Sequence, residues 1–231
     1  MIDYKEFAFI FDMDGTLVDN MRYHTMAWQK MLDENGIKAR ASDFLINTAG
    51  KTNREIVPTI FPNAGPEEIA RLGDRKEELY RELFAPNLRP IAGAVEFLES
   101  SRDIGINLAV STAAPPANVA FVLDGLDLRR YFREVTNSAD VKHGKPHPDL
   151  FLRSAEMLGI VPARCLVFED ALNGFEAAFR AGMRSIGVTT VNSAETIAAQ
   201  PSVVATIDNF LEIDAQETAA RYILEAAVPN F

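Results

Sequence analysis

Asp12 and Asp14 stand two residues apart behind the apolar run Phe7 to Phe11, and Gly15 and Thr16 follow them. A short, continuous, aromatic run suits a strand buried on both faces of a parallel sheet. The two acids then fall where that strand ends, and a glycine there lets the chain turn sharply. In open α/β sheets the ligand crevice lies beyond the carboxyl ends of the strands. Two carboxylates held so close repel one another unless a cation stands between them, and oxygen ligands of this kind suit Mg²⁺. A lone Asp after a strand is commonly a turn former. The string Asp-x-Asp-Gly-Thr behind five apolar residues is a far narrower signal.

Three further segments carry matching chemistry. Residues 106–112 read as a second buried strand ending on the hydroxyls of Ser111 and Thr112. Residues 144–149, Gly-Lys-Pro-His-Pro-Asp, place Lys145 ahead of a proline-punctuated helix start. Residues 165–170 form a third apolar run, closing on Glu169 and Asp170. Phosphoryl transfer needs a nucleophile, cation ligands and donors for the equatorial oxygens. These segments supply each of them once. Taken singly, Ser111 could be a plain strand-end hydroxyl, Lys145 a solvated loop charge and the acid pair a helix cap.

In this order and spacing the four segments resemble the motifs of the haloacid dehalogenase superfamily of phosphotransferases, over nearly the whole chain. The resemblance implies that Asp12 attacks phosphorus and becomes an aspartyl phosphate, a known form of covalent catalysis. It implies that Asp14 is the general acid and base. Lys145 and Ser111 would hold the phosphoryl oxygens, helped by the backbone N–H groups of Thr112 and Ala113. Those amides are expected to open a helix, since Pro115 and Pro116 fit a first turn and helix N-termini favour anions. Asp12, the Asp14 carbonyl, Glu169 and Asp170 would hold Mg²⁺.

The elements needed to position these groups can be read along the chain. From about Asp19 to Asn87 the apolar spacing is helical, with Gly36 ending the first helix and Pro58, Pro62 and Pro66 punctuating the middle. Beyond Ile91 strands alternate with helices, the strands falling at 106–111, 134–137, 164–169, 185–189 and 203–207. This predicts an α/β protein: a Rossmann-like, doubly wound core over residues 1–18 and 88–231, with a small inserted helical block over 19–87. The resemblance implies the same, with the block as a C1-type cap hinged near residues 17–19 and 86–88. Such a cap would exclude water from an aspartyl phosphate and strengthen each electrostatic contact.

Within the superfamily the chain resembles the β-phosphoglucomutase-like group and its bacterial sugar phosphatases. The similar stretches are 22–28, with His24 and Trp28 four apart on one helix face, 50–55, with Gly50 and Arg54, and Arg75-Lys76. In that group these positions face the substrate from the cap. On residue type alone, Trp28 could equally be cap core, and His24, Arg54 and Lys76 ordinary helix side chains. The same comparison bears on the reaction. After its second-motif serine a mutase carries a further Ser and a Lys, whereas this chain continues Thr112-Ala113-Ala114-Pro115-Pro116.

Composition bounds the rest. The 231 residues are 48% hydrophobic with a net charge of −10, which argues against nucleic acid or an anionic membrane as partner. Cys165 is the single cysteine, so no internal disulfide is expected. No signal peptide is expected, and no run nears the roughly 18 apolar residues of a membrane span. A cytoplasmic monomer acting on a small phosphorylated metabolite is the expectation. Four functions follow: a Mg²⁺-dependent phosphatase on a sugar or polyol phosphate, favoured; a sugar-phosphate mutase, the alternative; a dehalogenase, opposed by the complete acid set; and an idle binding domain, opposed by the presence of every motif residue.

Overall fold

The computed structural model describes residues 3–45 and 48–224, so the outer ends of the expected core segments lie outside the described residues. Six parallel strands form one sheet: β1 Ala8–Phe11, β2 Asn107–Ser111, β3 Glu134–Thr136, β4 Cys165–Glu169, β5 Arg184–Val188 and β6 Val203–Ile207. Their order is β3-β2-β1-β4-β5-β6, with Phe11 beside Val110 on one flank and Phe168 on the other. All six strands expected from the sequence are present. They were legible because a strand covered on both faces must be apolar throughout.

Helices α1 Met21–Glu34, α2 Ser42–Leu45, α3 Asn53–Ile60 and α4 Pro66–Phe84 lie between β1 and β2. The remaining helices accompany the sheet: α5 Ala94–Asp103, α6 Pro116–Val119, α7 Asp149–Leu158, α8 Leu172–Arg180, α9 Ala194–Ala198 and α10 Ala215–Ala219. Pro66 opens α4 as expected. Pro58, expected to interrupt, instead sits inside α3, which begins with a full capping box between Thr52 and Glu55. The ring removes one backbone donor near the end of a short helix, where the remaining turns tolerate the loss.

Residue parity divides the core. Phe9, Phe11, Leu108, Val110, Leu166 and Phe168 point to one face of the sheet, where Phe9, Phe11, Phe97, Phe168 and Phe210 pack ring to ring. Ala8, Ile10, Ala109, Cys165 and Val167 point to the other, against Phe151 and Ala155 of α7 and Ala177 and Ala178 of α8. Alternation then dictates which way the residues at the strand ends emerge. Among the described residues no helix is long and apolar enough to cross a membrane.

Candidate active site

The strand order reverses at β1, so the ends of β1, β2 and β4 converge, the usual place for a ligand in such a sheet. Asp12 extends β1 and Glu169 ends β4, both on the α7–α8 face. Lys145 lies between them, with Nζ 2.5 Å from Asp12 Oδ1 and 2.7 Å from Glu169 Oε2, and it is fully buried. The other oxygen of Glu169 accepts the N–H groups of Asp170 and Ala171. Asp170 Oδ1 accepts from the Thr16 hydroxyl, while Asp170 Oδ2 is buried with no partner.

Three acids around one ammonium leave the cluster two negative charges in excess. Burial pushes the Asp12 carboxyl up to about 8, opposed by Lys145 and reinforced by Glu169 and Asp14. Burial, then Glu169 and Asp12, push Asp170 well above the carboxylate range. Burial works against the charge of Lys145, but Asp12 and Glu169 outweigh it and hold the lysine protonated. All three directions follow from three buried carboxylates sharing one ammonium. One oxygen each from Asp12, Glu169 and Asp170 lie within 4.8 Å of one another, so a hard divalent cation fits the donor set and would engage the orphaned Asp170 oxygen.

Asp14 sits beside this cluster. Its Oδ1 accepts from Asn20 Nδ2 at 2.6 Å and lies 3.7 Å from His24 Nε2. Above it is a cavity of about 920 Å³ walled by both the sheet ends and the helical insert. Trp28, Gly50 and Lys76 line it from the insert, and Thr112, Ala113 and Asp170 from the sheet. His24 stacks on Tyr80 with 3.8 Å between ring centroids and bonds Lys76 Nζ through Nδ1 at 2.7 Å. Among the described residues three buried side-chain polar atoms lack a hydrogen-bond partner: Asn20 Oδ1, His24 Nε2 and Asp170 Oδ2. All three belong to this site.

Ser111 and Arg54 are placed differently from expectation, and the amides of Thr112 and Ala113 differ in part. Ser111 does not line the cavity, because its hydroxyl is turned into α7. It bonds Ser154 Oγ at 2.6 Å and the Leu150 carbonyl, both on α7. Thr112 is the hydroxyl that faces the site. Its N–H is also spent, donating to the Thr136 carbonyl at the end of β3. Ala113 keeps an unbonded N–H, but neither amide opens a helix, because α6 begins at Pro116. Arg54 is the second difference. It does not line the cavity, and its Nη2 donates to the carbonyls of Ser138 at 2.9 Å and Val141 at 3.3 Å.

Several site residues carried no motif. Asn20 occupies the N-cap position of α1 without capping it, because its amide serves Asp14 and the Tyr80 hydroxyl instead. Glu77 is buried in the cavity wall. Its Oε1 accepts from Lys76 Nζ at 2.9 Å and Asn53 Nδ2 at 2.8 Å, and its Oε2 accepts from Asn118 Nδ2 at 2.7 Å. Only the i+1 spacing from Lys76 pointed to Glu77, and neighbours on a helix do not usually share a face.

A Rossmann-like sheet with buried acids at its switch point and a helical insert over them is the architecture of an α/β enzyme whose acidic site fits a divalent cation. The chain belongs to the haloacid dehalogenase-like hydrolase family, whose profile matches residues 8–182. It is 33% identical to the fructose-1-phosphate phosphatase YqaB of Escherichia coli K12, across 80% of this chain and 98% of that protein. It is also 33% identical to a phosphorylated carbohydrates phosphatase of Thermotoga maritima, across 78% of this chain and 83% of that one. The crystal structure of β-phosphoglucomutase from Clostridium difficile superposes with a TM-score of 0.81 at 28% identity, covering 97% of this chain and 100% of that one.

Proposed function

We propose that the protein is a Mg²⁺-dependent phosphomonoester hydrolase acting, in the cytoplasm, on a small sugar or polyol phosphate through a phosphorylated Asp12. The observation that carries this reading is the buried cluster of Asp12, Lys145, Glu169 and Asp170 on the floor of a cavity large enough for a sugar phosphate, with Asp14 beside it.

Asp12 attacks phosphorus, and Asp14 gives a proton to the leaving sugar oxygen. In the second half-reaction Asp14 takes a proton from the water that attacks the aspartyl phosphate. Lys145, the Thr112 hydroxyl and the Ala113 N–H donate to the equatorial oxygens, where charge is spread in the transition state. Mg²⁺, held by Asp12, Asp170, the Asp14 carbonyl and Glu169, would neutralise phosphoryl charge and restore the ionised state of Asp12. Residues 19–87 act as the cap, with Trp28, His24 and Lys76 meeting the sugar.

Two features disfavour a mutase, which must retain a bisphosphate while it reorients. Arg54 is committed to backbone carbonyls, and the charge of Lys76 is matched by Glu77. Phosphate release from a panel of sugar monophosphates, with and without Mg²⁺, tests the reading, with Asp12→Asn as the inactive control. Conversion of β-glucose 1-phosphate to glucose 6-phosphate outrunning phosphate release would reverse it, as would Asp12→Asn retaining more than about a hundredth of activity.

A further inference from the structure

Residues 50–55 of the helical insert hold the loop that carries Lys145. Glu55 closes the capping box of α3, its Oε2 accepting the Thr52 N–H at 2.8 Å and the Thr52 hydroxyl at 2.7 Å. The same carboxylate, with each oxygen 3.3 Å away, also accepts the Gly144 N–H from across the cavity edge. The next amide does likewise, Lys145 N–H donating to the Gly50 carbonyl at 3.0 Å. Two consecutive amides of the loop therefore end on acceptors in the insert, and Arg54 grips the carbonyls of Ser138 and Val141 in the same loop. The approach is tight: a Cβ on Gly144 would lie 2.7 Å from Glu55 Oε2 and 3.2 Å from the Gly50 carbonyl.

At its far end Lys145 must reach two acids at once, Asp12 at 2.5 Å and Glu169 at 2.7 Å. A four-carbon stem that must meet two targets at once leaves little tolerance in where its Cα starts. A surface loop whose amides were satisfied by water would not fix that point.

We propose that Glu55 is a positioning residue for Lys145: by accepting the Gly144 N–H it fixes the backbone from which the lysine reaches Asp12, so that the lysine is aligned when the insert is docked. This rests on the reading of Lys145 as the partner of the Asp12 nucleophile. Glu55 does not line the cavity, so its effect on turnover passes through the loop. A neutral acceptor suffices for the contact, which separates Glu55→Gln from Glu55→Ala.

Amide hydrogen exchange at Gly144 and Lys145, measured by NMR, tests the contact without reference to turnover. Turnover of p-nitrophenyl phosphate tests its consequence. Glu55→Ala should lower protection at both amides about tenfold or more and reduce kcat about 10- to 100-fold with KM nearly unchanged, the scale of loss from misplacing a reacting group by about 1 Å. Glu55→Gln should recover to within about threefold of wild type, and in a Lys145→Met background Glu55→Ala should cost less than about twofold more, because coupled residues are not additive. Should Glu55→Ala fail to fold, Gly144→Ala wedges the same contact apart and should give the same pattern. Unchanged amide protection, a loss that multiplies with Lys145→Met, or Glu55→Gln as damaging as Glu55→Ala would overturn the proposal. A wild-type protein that hydrolyses no phosphomonoester would overturn the function while leaving the exchange result to stand.

Discussion

A Cβ placed on Gly15 would lie 2.2 Å from Oδ2 of Asp170, so the turn that follows β1 and the acid that follows β4 are built around one another. Gly15 also has φ +85°, a conformation that side chains rarely adopt. Gly15→Ala should therefore act in two ways. The backbone alone should cost about 1–3 kcal/mol of stability. The methyl should in addition displace Asp170 from the cluster it shares with Asp12 and Glu169. Urea unfolding and a Mg²⁺ titration followed by calorimetry measure the two effects separately. A variant that binds the cation as wild type does would show that Asp170 is free to move aside.

The pair Ser111 and Thr112 gives a sharper contrast. Ser111 is bonded into α7, whereas Thr112 lines the cavity, where its Oγ1 accepts from Ala114 N–H and donates no hydrogen bond among the described residues. Ser111→Ala should cost about 0.5–1.5 kcal/mol of stability, the net worth of a buried hydrogen bond, and leave kcat nearly intact. Thr112→Val keeps the shape and removes the donor. It should lower kcat on every phosphomonoester by about 10- to 100-fold, the range for a charge-assisted hydrogen bond of roughly 1.5–3 kcal/mol. The reverse ranking would return the second-motif role to Ser111.

These two residues also mark how far the sequence could be read. The six strands, the insert after β1 and the acids at the strand ends were legible because each leaves a one-dimensional trace: an apolar run, a change of period, a charge where the run stops. Which of two neighbouring hydroxyls faces the ligand leaves none. It depends on strand parity and on the residue at which pairing with β3 ends, here Thr136 accepting the Thr112 amide. The place of Arg54 was not legible for a related reason. Its motif fixed its place in α3, but whether a long side chain meets a ligand or a carbonyl depends on how residues 138–141 pass beneath it. Asn20 and Glu77 were silent because the partners that fix them, Tyr80 for Asn20 and Asn53 with Asn118 for Glu77, are distant in sequence.

Asp14 separates metal binding from acid catalysis. Its carboxylate is held by Asn20, and the proposed contribution to the cation is its backbone carbonyl, which survives truncation. Asp14→Ala should keep Mg²⁺ affinity within about threefold while kcat falls by about 10²–10⁴, the usual worth of a positioned acid or base. Calorimetric titration of the cation alongside steady-state kinetics decides the matter. A parallel loss of Mg²⁺ binding would make the side chain itself a ligand.

Glu77 carries a prediction in pH. Burial alone would raise its carboxyl, but the charges of Lys76 and His24, with hydrogen bonds from Lys76 and Asn53, outweigh burial and hold it at about 2, below the ordinary value of 4.5. A carboxyl depressed in the folded state favours folding above its unfolded pKa, and that contribution is lost as pH falls through the folded value. The window therefore runs from 4.5 down to about 2, and the contribution is about 3 kcal/mol when fully present. Glu77→Gln abolishes this titration. The variant should be less stable than wild type at neutral pH, because Lys76 is left as a buried charge without its counter-ion. The gap between the two proteins should then narrow from pH 4.5 to pH 2.5, as urea midpoints at half-unit intervals would record. The same substitution frees the Lys76 ammonium inside the cavity, so a sugar bisphosphate should gain on the matching monophosphate in relative KM. A gap that stays constant through acid pH would assign the titration to another group, and an unchanged substrate preference would place the Lys76–Glu77 pair outside substrate selection.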